Sequence, residues 1–350
     1  MSESRADAFV PPHSKPSGRL DVKTVAFSRC FHAHKDADLT PAPYSALRFT
    51  TLDEGPRHGK LSRALSGQGC PPGLANELCS LAETIEISAW RDIAAAVPPD
   101  LRRITRFEAI DIGDTLVLRA SRLGNLLFNR AIGLGLAGTI DDAQILKVLS
   151  AFRGAGIDNF WVHVSPAAQS AGLAARLHTH GLDAHRRSWT KFARGPEAPP
   201  AAHCELSLRA ASRMDMEPTA EILAPAFDMP AAGGRILAAV IGRPNWHVYV
   251  VRDGKRLVAV GGLYLERPLA YLVFAATDPT YRRRGAQAAL MQKRIETACA
   301  RGCTLITTET GTPLHADEPN PSFQNMLRFG FHPTATRENY GLPGTQWNRR

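Results

Sequence analysis

Residues 270–302 read AYLVFAATDPTYRRRGAQAALMQKRIETACARG. Tyr271, Leu272, Val273, Phe274 and Ala275 form an apolar run of the length of one buried strand. Pro279 cannot donate to a sheet ladder and ends it. Three arginines and Gly285 follow. Ala288, Met291, Ile295, Ala298 and Gly302 then recur at three- and four-residue steps, which predicts a helix with one buried face.

A strand that runs through a basic, glycine-containing loop into a helix makes an anion cradle. The first N–H groups of the helix lack internal partners, and its dipole is positive there. Gly285 lets a ligand approach where a Cβ would collide. Such a terminus suits a pyrophosphate. Taken singly, Arg282, Arg283 and Arg284 would be a solvated charge run on an ordinary turn.

The segment Asp278-Pro279-Thr280-Tyr281-Arg282-Arg283-Arg284-Gly285-Ala286-Gln287 resembles the acetyl-CoA loop of the GNAT N-acetyltransferases. That loop has Arg or Gln, two variable residues, Gly, one more residue, then Gly or Ala. Arg282 and Gly285 match the first and fourth positions, and Gln287 departs from the sixth. Ala288 and Ala289 keep the helix start slim. The resemblance implies the mixed-sheet α/β acyl-CoA N-acyltransferase fold, with acetyl-CoA as co-substrate. It also implies cofactor contacts from Phe274, Ala275, Ala276 and Thr277 on the strand, with the Thr277 backbone in the oxyanion region. Further contacts would come from Arg282, Arg283, Arg284, Gly285, Ala286, Gln287 and Ala288, and from Asn320 and Phe323 opening a later helix.

The chain has 350 residues, 44% hydrophobic and 21% charged, which is room for two globular domains. No apolar run reaches membrane-span length, and residues 1–30 do not read as a signal peptide. A cytoplasmic protein is expected, with no membrane partner. The net charge of +9 favours anionic partners. No nucleic-acid module is present in the sequence, so nucleic acid ranks low. Cys30, Cys70, Cys79, Cys204, Cys299 and Cys303 are scattered, and a reduced, structural role is expected for all six.

Residues 1–70 are rich in Pro, Ser, His and charge, and are expected to be disordered or loosely attached. His32 and His34 lack further ligands nearby, so no metal is expected. A helical pattern covers 72–97, followed by strand candidates at 107–112 and 115–120 over the turn Gly113-Asp114. Next come a strand at 126–132, a helix at 141–154, a strand at 159–164, a helix at 167–180 and a strand at 189–193. Residues 195–201, GPEAPPA, read as a linker. The second half repeats the order: strand 205–209, helices 214–227 and 231–241, a hairpin of 246–252 with 256–266, the central strand and helix, strand 303–309, helix 321–329 and a last strand from 331. Both halves end a helix alike, in Leu177-His178-Thr179-His180-Gly181-Leu182 and Met326-Leu327-Arg328-Phe329-Gly330-Phe331. Two GNAT-like domains in tandem are expected: a degenerate one at 71–195, a linker at 196–202 and the acetyl-CoA-binding one at 203–350.

The first half carries a literal dinucleotide pattern, Gly133-Leu134-Gly135-Leu136-Ala137-Gly138. A Rossmann site needs a free helix start for the pyrophosphate and an acid ending the next strand. Asp141 and Asp142 instead occupy the helix start and satisfy its N–H groups themselves. Asp158 begins the next strand rather than ending it. The same two charges argue against acetyl-CoA in this half.

Acetyl transfer to an amine needs a group that takes the ammonium proton, since its pKa lies near 10. Glu309, at the end of the strand beside the central one, is the first candidate, and Glu266 the reserve. Capping the strand end or pairing with an arginine is the structural alternative for Glu309. GNAT enzymes often place the leaving-group acid on a tyrosine of the last helix. Met326 stands there, so water, Ser322 or Tyr340 is left for that role. The function read from the sequence is an acetyl-CoA-dependent N-acetyltransferase of a small-molecule or peptide amine. A non-catalytic acyl-CoA sensor is the competing class, and a homodimer is left open.

Overall fold

The computed structural model describes residues 72–168, 172–315 and 317–346. The segment 1–70, with Cys30, Cys70, His32 and His34, lies outside the described residues, as do 169–171 near the start of the predicted helix 167–180.

Helix α1 (Pro72–Ala96) is followed by α2 (Pro99–Thr105), whose first position holds a proline. Then come β1 (Phe107–Ile112), β2 (Thr115–Ala120), β3 (Arg130–Ile132), α3 (Asp142–Arg153), β4 (Trp161–Val164), α4 (Leu173–Thr179), β5 (Asp183–Ala184) and β6 (Trp189–Arg194). After the linker come β7 (Ser207–Ala210), α5 (Met216–Ala226), α6 (Ala231–Ala238), β8 (Trp246–Asp253), β9 (Arg256–Glu266) and β10 (Leu269–Thr277). The chain continues through α7 (Ala286–Ala300), β11 (Leu305–Gly311), α8 (Pro321–Arg328) and β12 (His332–Gly341). The predicted strand 126–132 contracts to β3, because Asn125 folds its carbonyl oxygen onto the Leu127 N–H and starts a turn.

The strands follow one path, β1-β2-β3-β4-β12-β6-β11-β10-β9-β8-β7, with β5 beside β12. The two parallel pairs, β3 with β4 and β10 with β11, are each bridged by a crossover helix, α3 or α7. The two similar helix endings of the sequence prove structurally alike. Leu182 N–H donates to Leu177 O, and Phe331 N–H to Met326 O, both at 3.0 Å, over glycines at φ +81° and +76°.

The last strands of the two halves are exchanged. β6 precedes the linker, yet it lies between β11 and β12. β12 pairs through Arg337 with β6, then through Glu338–Tyr340 with β4 of the first half. The linker at 196–202 thus divides the chain but not the sheet. It runs along α7, held by Ala202 N–H on Gln292 Oε1 at 2.7 Å and by Cys299 Sγ on Pro196 O.

One face of the second-half sheet is covered by α1, α5 and α6, which share a core with Tyr271, Phe274 and Ala276. The other face is covered by α7 and α8, which pack Met291, Ile295, Met326 and Phe329 against Ala270 and Leu272. α1 therefore belongs to the first half in sequence but roofs β10, β6 and β12. Cys79, Cys204, Cys299 and Cys303 form no disulfide among the described residues. No helix among the described residues is long and apolar enough to cross a membrane.

Candidate active site

β10 and β11 pair only from Leu269↔Leu305 to Tyr271↔Thr307. Thr308 Oγ1 makes a last link to Leu272 O at 3.0 Å, and the strands then part. On its other edge β10 stays paired to β9 as far as Thr277↔Ala259, with an irregularity between Leu272 and Ala275. Val273, Ala275 and Thr277 are half-buried in this opening, whereas Ala276 is buried on the α1 side. Phe274 is buried too: its ring lies against Gly262, where a Cβ would stand 2.8 Å from Cζ, and it stacks with Trp246. Its side chain thus braces the strand, and only its backbone faces the opening.

Past Thr277, Asp278 accepts the Thr280 N–H and the Arg256 guanidinium and turns the chain into the arginine loop. Arg283 is left-handed at φ +64° and Gly285 at φ +80°, conformations that turn successive N–H groups to one side. α7 starts at Ala286 with no side-chain cap and no acidic residue in its first turn. Arg282 and Arg283 are exposed and have no ion pair among the described residues. Arg284 lies 3.5 Å from Asp253 and over the Tyr281 ring. Ala286 is buried, Ala288 packs on the α7–α8 core, and Gln287 reaches back to Thr277. These residues fit a diphosphate: unpaired donors, an uncapped positive helix end and two free guanidinium groups. One expectation changes. A Cβ on Gly285 would stand 2.0 Å from His203 O, so the chain's own backbone, not a ligand, demands glycine there.

Glu309 is not a lone carboxylate. Its Oε2 lies 2.8 Å from Lys191 Nζ and 2.9 Å from Arg337 Nη2. Behind it, Arg337 Nη1 reaches Glu86 at 2.6 Å and Glu83 at 3.0 Å, Lys191 pairs with Glu86, and Arg130 Nη2 lies 3.3 Å from Glu86. Three carboxylates thus meet three cations, all buried except Glu309, which is partly exposed. Burial works against the Glu86 charge, but Arg337, Lys191 and Arg130 hold its carboxyl well below the ordinary range. Burial opposes the Lys191 and Arg337 charges as well, and the glutamates outweigh it and raise both. His163 Nδ1 lies 2.7 Å from Asn339 Oδ1; burial, then Arg337 and Arg130, keep its imidazole well below 6.5 and neutral.

The remaining expected residues are placed as follows. Tyr340 is a correction: it pairs with Val162 of β4, bonds Glu338 at 3.0 Å and belongs to the first-half core, away from the opening. Burial and Glu338 push its phenol up to about 12. Glu266 pairs with Leu269, at the far end of β10 from the cradle. Asn320 caps α8 through the Phe323 N–H at 3.0 Å and donates to Gly311 O at 2.7 Å, tying α8 to the end of β11. Phe323 meets Phe192 edge-on, and Met326 is buried. The glycine pattern of the first half is a packed turn: Leu134 and Leu136 are buried, and Asp141 caps α3 on the Gln144 N–H at 2.7 Å. Sequence reasoning missed Glu83, Glu86, Arg130, His163, Lys191 and Arg337. Their one local signal is a charged residue inside an otherwise apolar pattern, as at Glu83 and Glu86 on α1.

The model of the Acetyltransferase (GNAT) domain matches residues 191–312. No curated protein matches the chain. Similar solved structures include a GCN5-related N-acetyltransferase from Kribbella flavida, 20% identical over 72% of this chain and 95% of that one, with a TM-score of 0.48. Another, from Sphaerobacter thermophilus, is 16% identical over 60% and 70%, at 0.46. A tandem GNAT protein from the clavulanic acid biosynthesis pathway is 17% identical over 73% and 93%, at 0.44. The matched segment opens at Lys191 in β6 and closes just past β11, so it encloses the exchanged strand, the parted strands and the cradle. Residues 191–312 are thus similar to a GNAT acetyltransferase domain.

Proposed function

We propose that the protein is an acetyl-CoA-dependent N-acetyltransferase that passes the acetyl group directly to a small-molecule or peptide amine. The observation that carries this reading is the uncapped, arginine-flanked start of α7 directly behind a strand that parts from its parallel neighbour, inside the matched domain. Acetyl-CoA would supply a thioester. Arg282, Arg283 and the N–H groups from Gly285 to Ala288 would hold its diphosphate, and the free edge of Val273–Thr277 would align its arm and offer an N–H to the oxyanion. Glu309 would receive an N–H of the amine and pass the proton on to water, since two cations already share its Oε2. With Met326 buried and Tyr340 in the other core, water or Ser322 is left to protonate the leaving thiolate. The first half, packed and capped where a pyrophosphate would sit, binds no cofactor and roofs the acceptor side.

The second reading, a non-catalytic acyl-CoA-binding protein, is favoured by Met326 alone. Incubating the full chain with acetyl-CoA and a panel of amines, with free thiol followed over time, separates the two. Thiol release with any amine supports the enzyme. A thermal upshift with coenzyme A but no release supports the binding protein, and no upshift sinks both.

A further inference from the structure

We propose that Lys191 and Arg337, carried by the two exchanged strands, are positioning residues that pin one oxygen of Glu309 and leave the other for the acceptor amine. The proposal rests on the N-acetyltransferase reading above and names what orients its acceptor.

Glu309 stands two residues beyond the last β10–β11 pair, Tyr271↔Thr307, where the strands have already separated. Among the six ionic residues its side chain alone retains real exposure, 9% against 2% or less for Glu83, Glu86, Arg130, Lys191 and Arg337. Its two oxygens are treated differently. Lys191 and Arg337 make their closest approach to Oε2, both within 2.9 Å, while Arg130 makes its closest approach to Oε1, at 3.9 Å. Glu309 shares Lys191 and Arg337 with Glu86 of α1 and so faces the α1 side of the opening, where Tyr271 of β10 also packs; burial and then the Glu309 charge push that phenol well above 10.0.

Lys191 bridges Glu86 and Glu309, and Arg337 bridges those two and Glu83. Glu86, wholly buried under α1, is the anchor at one end, and Glu309 is the working group at the other. A glutamate on a free side chain samples several rotamers; one held by two cations fixed to a buried anchor does not. An amine whose N–H meets Oε1 is then oriented before it meets the thioester, and orientation of this kind governs transfer efficiency. The exchange is what assembles the bridge. Lys191 arrives on β6 from the first half, and Glu86 on α1 from the first half, whereas Glu309 and Arg337 come from the second.

The test uses the full chain and four proteins: wild type, Lys191→Arg, Glu309→Gln, and the double variant Lys191→Met with Glu86→Gln. The double variant removes one cation and one anion, so the cluster stays balanced. Each is measured for thermal upshift with coenzyme A, and for kcat and KM with the best amine of the panel. The coenzyme A upshift is expected to be unchanged in all four. The double variant is expected to raise the amine KM about tenfold with a much smaller change in kcat, Glu309→Gln to raise KM and also lower kcat because it removes the proton acceptor, and Lys191→Arg to stay near wild type. A merely structural role would lower the folded fraction, and so kcat, without moving KM. If the double variant fails to fold, the single change Lys191→Met, which removes one of the two cations from Oε2, decides by the same KM readout. Unchanged KM in variants that fold and turn over overturns this proposal and leaves the enzyme reading standing. A wild type that binds no coenzyme A or acetylates no amine sinks the enzyme reading, and this proposal with it.

Discussion

Gln287 Nε2 donates a 2.7 Å hydrogen bond to Thr277 Oγ1, so the last residue of β10 and the second residue of α7 are tied across the arginine loop. The larger side chain at the sixth loop position thereby acts as a clasp on the cradle. Replacing it by alanine removes one partly buried hydrogen bond, worth about 1 kcal/mol. Gln287→Ala should weaken coenzyme A binding several-fold in isothermal titration while the melting temperature changes little.

Arg282 and Arg283 are exposed, unpaired among the described residues and adjacent to the uncapped helix start. On the proposed function their charges serve an anionic ligand and not the fold. The double change to alanine should leave urea stability within about 0.5 kcal/mol. It should lower coenzyme A affinity by about 10-fold or more, and flatten its dependence on salt.

At Gly285 the expectation is the reverse. A side chain must adopt φ +80° and stand 2.0 Å from His203 O. Gly285→Ala should therefore destabilise the whole protein, by about 2–4 kcal/mol in urea denaturation. A variant of wild-type stability would show that the linker does not press on the loop.

Residues 203–350 expressed alone lack β6, which leaves the β11 edge bare and Glu309 without Lys191. That fragment should aggregate or stay unfolded. Full-length protein nicked by a protease site placed in 196–202 should elute as one particle. Two separate folded particles would contradict the exchanged strand order.

His163 sets a pH dependence. Its folded imidazole lies well below the reference 6.5, first through burial and then through Arg337 and Arg130, with Glu86 acting the other way. Below 6.5 the unfolded chain takes up a proton that the folded chain refuses, so stability is present above that pH and falls as pH drops. The slope is about 1.4 kcal/mol per pH unit for one proton. Urea unfolding between pH 7 and 5 should show it, and His163→Asn should be shallower by about one proton. Equal slopes would mean that His163 titrates normally in the folded state.

The parts legible in the sequence are local ones. The Gly113-Asp114 hairpin, the β10–loop–α7 unit and the Asp141 cap each follow from neighbouring residues. What was not legible is carried by distant pairs. Nothing near Lys191 shows that it will face Glu309 rather than a partner in its own half, because alternation fixes a face and not a neighbouring strand. The same limit misplaced Tyr340, whose phenol sits in the other half's core. It also left the pairing of Glu309 with an arginine as an alternative without a named partner, where Arg337 and Lys191 occupy it. The role of Gly285 was misread for a related reason: the loop sequence shows that glycine is required but not which backbone presses on it.

The exchange of β6 and β12 also bears on how the molecule is made. During synthesis the first half emerges early, yet β4 and His163 wait for a strand delivered far later, the His163–Asn339 bond alone spanning 176 residues. Neither half can finish before the other, so native pairing belongs to the nearly completed polypeptide and not to its growing end. Topologies this non-local fold slowly and expose unpaired edges meanwhile. Yield in a recombinant host should therefore depend more on chaperone supply and growth temperature than on the stability of the finished product.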